Sequence, residues 1–212
     1  MLFGVQWYYW LILVIAIIGA IFAWAKALKS SKERRERLKK EAAIWKRDYE
    51  LREKFTVLTD DKINRTEESE LLHGVAMNIQ VFLENASDMN EAFANLPEEK
   101  KYVYLAEYFD EDAQKSLSTY FKNNGAPLLP YTEKALNALG AEKYTKIIAP
   151  LFPMYDDESD VSIDYSIIAK VNEEFASVYD STEFCRMCAK YIKENKDIFL
   201  SLSAAPAKTR YK

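Results

Sequence analysis

The chain has 212 residues, with 33 Asp or Glu against 29 Lys or Arg for a formal net charge of −4, and only 5 Gly, 2 Cys and 1 His. So few cysteines exclude a disulfide-stapled scaffold, and one histidine with a single cysteine pair leaves no four-ligand zinc set. The charge is unevenly placed: residues 26–54 carry 12 basic and 6 acidic side chains, residues 55–212 carry 17 and 27, and a half with net −10 argues against direct binding of a phosphate backbone.

The first 25 residues are uncharged, and from Trp7 to Trp24 they read WYYWLILVIAIIGAIFAW. Eighteen helical residues span about 27 Å, close to the roughly 30 Å of a bilayer core. Trp7, Tyr8, Tyr9 and Trp10 at one end, and Phe22 and Trp24 at the other, suit the headgroup belts. A cleaved signal peptide would place its basic residues before the apolar core; here Lys26, Lys29 and Lys32 follow it. The reading is a single-pass anchor over 1–25 in the cytoplasmic (inner) membrane, with the C-terminal side in the cytoplasm. Gly19 and Ala23 are small residues four apart, which would let anchors approach one another in a homo-oligomer.

Residues 26–55 lack glycine and proline and are rich in Lys, Glu, Arg, Ala and Leu, which predicts a basic juxtamembrane helix. Leu38, Ala42, Trp45 and Tyr49 form a narrow apolar stripe along it. The pattern weakens over 56–65, read as a linker. Residues 66–202 are read as a compact multi-helix domain, and 203–212 as a disordered tail.

Within the domain, Leu71, Leu72, Val75, Ile79, Phe82 and Leu83 repeat with helical period. Pro97 suits the first position of a second helix with Glu98 and Glu99 in its first turn, and Asp110 suits the cap of the next segment. Gly125 is expected to stop that segment. A short helix follows over 130–139, stopped by Gly140. Tyr144, Ile147, Ile148 and Leu151 belong to another, ending at Pro150 and Pro153. After the aperiodic acidic stretch 156–160, two longer helices are expected over 164–178 and 182–202, the second capped by Ser181. No convincing run of strands is present, and 5 glycines argue against tight hairpins. The fold class is all-α: a transmembrane helix, a basic helix, then a compact multi-helix domain.

Cys185 and Cys188 have redox-pair spacing but lie inside a helical pattern, where two small apolar residues on a packed face are the default. His73 stands beside Gly74 in a helix and is read as structural. No Gly-rich phosphate loop, H-E-x-x-H or G-x-S-x-G motif is present. No catalytic residue, cofactor site or metal site is assigned.

The segments FKNNGAPLLPYTEKALNALGAEKYTKII and IIAKVNEEFASVYDSTEFCRMCAKYIKENKDIF carry a further signal. An aromatic-and-asparagine turn, Phe121, Asn123 and Gly125, leads to Ala135, Leu136, Leu139, Gly140 and Ala141. The closing helices carry Glu174, Phe175, Tyr191, Ile192, Asn195 and Phe199. Over about 100 residues this pattern resembles the bacterial DNA-mimic-protein-like family of small all-helical domains, typified by the neisserial DNA mimic protein. The family's Asn-Gly-Gly-Phe element has no counterpart; Asp112-Ala113-Gln114-Lys115 stands in that region. The resemblance implies an all-α fold and a role in binding protein.

Carboxylates in rows can occupy a groove built for duplex DNA, which carries one charge per roughly 1.7 Å of axis. The residues singled out for this are Asp110, Glu111, Asp112, Asp156, Asp157, Glu158, Asp160 and Asp164. The expected function is a membrane-anchored, non-catalytic cytoplasmic module whose acidic domain binds a basic protein, as a DNA mimic or an immunity factor. The alternative is an oligomeric membrane scaffold or spacer, with an enzyme third.

Overall fold

Every regular element among the described residues is helical, and the order of the helices follows the apolar periodicity closely. The computed structural model describes residue 32, residues 34–156 and residues 159–201; for residues 124–127 it describes the backbone alone. The chain divides into two compact units, Met1–Glu50 and Leu51–Lys212. Helix α1 runs over 34–55 and its last turn opens the second unit. In the first unit, Leu38, Ile44, Trp45 and Tyr49 are exposed.

The expected transmembrane architecture is corrected: among the described residues no helix is long and apolar enough to cross a membrane. The longest domain helix has the length but not the composition, since its 22 residues include Lys122, Asn123, Glu133 and Lys134. The run Trp7–Trp24, the whole of 1–25 and the tail 203–212 lie outside the described residues, as do the single-pass location and the contact through Gly19 and Ala23 drawn from that run.

The segment read as a linker belongs to the domain. Phe55 and Ile63 are fully buried and Leu58 nearly so, and α2 (Asp60–Arg65) starts from Thr59, whose hydroxyl accepts from the Lys62 amide at 3.3 Å. Short elements lack enough periods to stand out in sequence, but one buried isoleucine docks this one. α3 (Glu68–Glu84) buries the expected stripe of Leu71, Leu72, Val75, Ile79 and Leu83. Gly74 permits close packing here: a Cβ would fall 2.4 Å from the Phe55 ring. Asn78 donates to the carbonyl oxygens of Phe55 at 2.8 Å and Thr56 at 3.2 Å, satisfying the end of α1.

A short α4 (Met89–Ala94), capped by Asp88, precedes α5 (Glu98–Ala113), for which Pro97 is the N-cap rather than the first helical residue. Asp110 lies within α5 and caps nothing. The next helix, α6 (Leu117–Ala138), is capped by Ser116, whose Oγ accepts from the Thr119 amide at 3.1 Å. α6 corrects two expectations together. Gly125 is not a stop, and no separate helix begins at 130; the backbone stays helical through Gly125, Pro127 and Pro130. Two prolines remove two amide donors. Against that loss, an unbroken helix puts Tyr120, Phe121, Leu129, Ala135 and Leu136 in the core together. α5 and α6 form the most extensive helix pair of the domain.

Gly140 does end α6 as expected. Its φ is +77°, the Ala141 amide donates to Leu136 O at 2.8 Å, and the Gly140 amide donates to Asn137 O at 3.1 Å. This is a Schellman turn, closed by buried Leu136 and Ala141. α7 (Glu142–Ile148), a 3-10 turn over Ala149–Leu151 and α8 (Phe152–Tyr155) follow, with Pro150 and Pro153 inside single turns. α9 (Tyr165–Val178) and α10 (Ser181–Glu194) are capped by Asp164 and Asp180, the latter in place of Ser181. Asn195 splits the last expected helix, and α11 (Lys196–Leu200) follows it.

The core is strongly aromatic. The Phe109 ring meets Tyr120 at 5.2 Å, Phe184 at 5.5 Å, Phe175 at 5.8 Å and Tyr179 at 6.1 Å between centroids, distances at which edge-on and tilted rings attract. Phe121 stacks on Tyr155 at 5.0 Å.

Candidate partner-binding surface

The eight acidic residues singled out in the sequence separate by burial. Asp110 and Asp112 are 3% and 7% exposed, because α5 is covered on two sides here, by the end of α9 at Asp110 and by α6 at Asp112. Asp110 Oδ1 accepts from the Tyr179 hydroxyl, and its Oδ2 accepts from Gln114 Nε2 at 3.0 Å. Burial first, and then the Asp110 charge, push the Tyr179 phenol far above its usual range, so Tyr179 remains a donor. Asp112 Oδ2 accepts from Asn123 Nδ2 at 2.9 Å and Oδ1 faces Lys115 Nζ at 3.3 Å. These two carboxylates tie α5 to α6 and to the end of α9. Facing inward, they cannot form a surface row with Glu111, which alone of the three is exposed.

The α8–α9 connection behaves differently. Asp156, Asp160 and Asp164 are all exposed, while Asp157 and Glu158 lie outside the described residues. Asp164 Oδ1 accepts from the Ser166 amide at 2.8 Å, the Ser166 hydroxyl at 2.7 Å and the Ile167 amide at 3.4 Å. The Ser166 hydroxyl bond, followed by the two amides, lowers the Asp164 carboxyl below its ordinary value, so it stays ionised near neutral pH. The sequence pattern gave the charge of this connection. It did not mark what lies among those charges: Val161, Ile163 and Tyr165, exposed by 49%, 47% and 77%. Their alternation with Ser162 and Asp164 was visible, but only the structure places them on the surface.

The residues of the aromatic-and-glycine pattern are packing and cap positions. Phe121, Leu136, Phe175 and Phe199 are in the core, and Gly140 is the Schellman residue. Asn123 is the exposed partner of Asp112. Asn195 Nδ2 donates to the carbonyl oxygen of half-buried Tyr191 at 2.9 Å, which closes α10.

The reactive residue types are held in structural pairs. His73 Nδ1 meets Glu107 Oε1 between α3 and α5, and Glu70 pairs with Lys54 Nζ at 2.6 Å. Cys185 and Cys188 are free and buried on α10. Burial pushes the Cys185 thiol up to about 12 and that of Cys188 well above its ordinary value, so neither supplies a thiolate. Among the described residues, no group of three His, Cys, Asp or Glu side chains could hold a metal ion. An open groove of about 420 Å³ is lined by Glu68, Arg186, Lys190, Lys193 and Glu194. These residues offer charges of both signs to a ligand.

Residues 94–195 match the family model described as DMP19-like protein, a span that opens at the end of α4 and closes at Asn195. No curated protein and no solved structure matches the chain.

Proposed function

We propose that this chain, whose residues 94–195 are a DMP19-like domain, acts by binding a basic protein rather than by chemistry. In this reading the helical, DNA-mimic-like module offers its carboxylates to a cationic surface, such as the nucleic-acid-binding face of a partner or a basic toxin that it neutralises. The observation that carries the reading is the α8–α9 connection, where Asp156, Asp160 and Asp164 are exposed together. The net −10 of residues 55–212 adds a field that draws in cationic partners and disfavours nucleic acid.

The test is a pull-down from host lysate with the full chain at about 0.05 M and about 0.5 M salt, since screening shortens from beyond 10 Å to a few Å over that range. A basic protein retained at low salt, released at high salt and lost with the triple variant Asp156→Asn, Asp160→Asn, Asp164→Asn is the expected result. Asparagine at 164 keeps an oxygen for the α9 cap, so a loss would report charge. Retention that is indifferent to salt or to the triple variant would sink the reading.

A further inference from the structure

The same connection has a second property, which rests on the partner-binding reading and adds what the surface recognises. Residues 159–164 are neither helix nor turn, and Asp164 holds extended angles, φ −107° and ψ 105°. The sequence Val161-Ser162-Ile163-Asp164-Tyr165 alternates apolar and polar, the period that puts one face of a strand in an apolar environment. Here that face has no cover: Val161, Ile163 and Tyr165 are all exposed, and Ile167 continues the patch into α9 at 37% exposure.

The backbone is open as well. The Ser159 amide bonds Asp156 O at 3.0 Å and the Val161 amide bonds Ser159 Oγ at 3.2 Å. Among the described residues, the amides of Asp160, Ser162 and Asp164, which fall on one edge of an extended segment, have no hydrogen-bond partner. Open amides beside an alternating apolar row are what a sheet edge needs to add a strand.

We propose that residues 159–164, with Tyr165 at the start of α9 flanking them, dock as an added strand on the edge of a β-sheet in the basic partner. Val161, Ile163 and Tyr165 then cover apolar side chains of that edge, and Asp160 and Asp164, on the other face, meet its lysines or arginines. Charge selects this occupant over a second copy of the chain. Antiparallel pairing of two copies about Ser162 sets Asp160 opposite Asp164, and parallel pairing in register sets each aspartate opposite itself; like charges directly opposite are destabilising. A basic edge turns the same positions into favourable cross-strand pairs.

The test is hydrogen exchange by mass spectrometry on the full chain with two synthetic probes of about ten residues, near the usual length of a strand. One alternates lysine and valine, the other glutamate and valine. The lysine probe is expected to slow exchange across 159–165 by on the order of tenfold, with no effect from the glutamate probe. Ser162→Pro removes one amide of that edge at an exposed, non-helical position. It should abolish the protection while leaving the far-ultraviolet circular dichroism unchanged. No protection from the lysine probe, or equal protection from both, would overturn the proposal.

The partner-binding reading fails separately. If a salt-released basic protein is captured as well by Ser162→Pro as by the unmodified chain, the strand is wrong and the reading stands. If no salt-released protein is captured at all, both fall.

Discussion

The Tyr179 hydroxyl donates to Asp110 Oδ1, joining the last turn of α5 to the residue that ends α9 across 69 positions of sequence. The bond sits beside the Phe109, Phe175 and Phe184 rings, where an unpaired carboxylate has little solvent to turn to. Tyr179→Phe keeps the ring and removes the donor, leaving Asp110 with Gln114. We expect a loss of about 1–3 kcal/mol in urea unfolding. A loss below about 0.3 kcal/mol would show that the bond is not a stabilising one.

Burial rather than sign of charge should decide the consequence of acidic substitutions along α5. Asp112→Ala removes the buried acceptor that ties Asn123 of α6 to α5 and should cost about 1–2 kcal/mol. Glu111→Ala, one residue away on the exposed face, should change stability by less than about 0.5 kcal/mol. Equal effects in thermal unfolding would contradict the inward placement of Asp112.

Lys100 gives the domain a pH dependence of definite sign. It is 1% exposed, and its amine has Ser201 Oγ at 3.5 Å as its described polar contact. Burial lowers its pKa from 10.5 to about 8. Between those values the unfolded chain binds more protons than the folded one, so this group's contribution to stability rises with pH across that window. Its penalty is fully present below about pH 8. Lys100→Met should therefore stabilise the domain at pH 7 by on the order of 2 kcal/mol, an advantage that shrinks towards pH 10. Urea midpoints of both proteins at the two pH values check this; an advantage that does not change with pH would refute it.

The two glycines with structural reasons should respond differently. Gly140→Ala meets no neighbour but is forced to φ +77°, costing about 1 kcal/mol of conformational strain. Gly74→Ala would drive a methyl to 2.4 Å from the Phe55 ring, an overpacking cost of about 1–3 kcal/mol. Phe55→Leu should relieve part of the second cost and none of the first, which a double-mutant cycle in denaturant measures.

The sequence by itself determined that the domain is helical and where its strongest helices lie. The stripe of α3, the Gly140 stop and the Asp164 start are local: each depends on a side chain's reach to its own backbone or on a period within one helix. Its resemblance to the DNA-mimic-like family rested on cap and core positions that, apart from Phe199, fall inside the family match over 94–195. Tertiary structure decided the rest. Ile63 and Phe55 turned an apparent linker into part of the core. The shared burial of Tyr120, Phe121, Leu129 and Leu136 carried α6 through Gly125 and two prolines against local propensity. Of three consecutive acidic residues, packing turned Asp110 and Asp112 inward and left Glu111 outside. A carboxylate looks the same in sequence whether it faces water or a tyrosine hydroxyl; which it meets depends on contacts between helices distant in the chain.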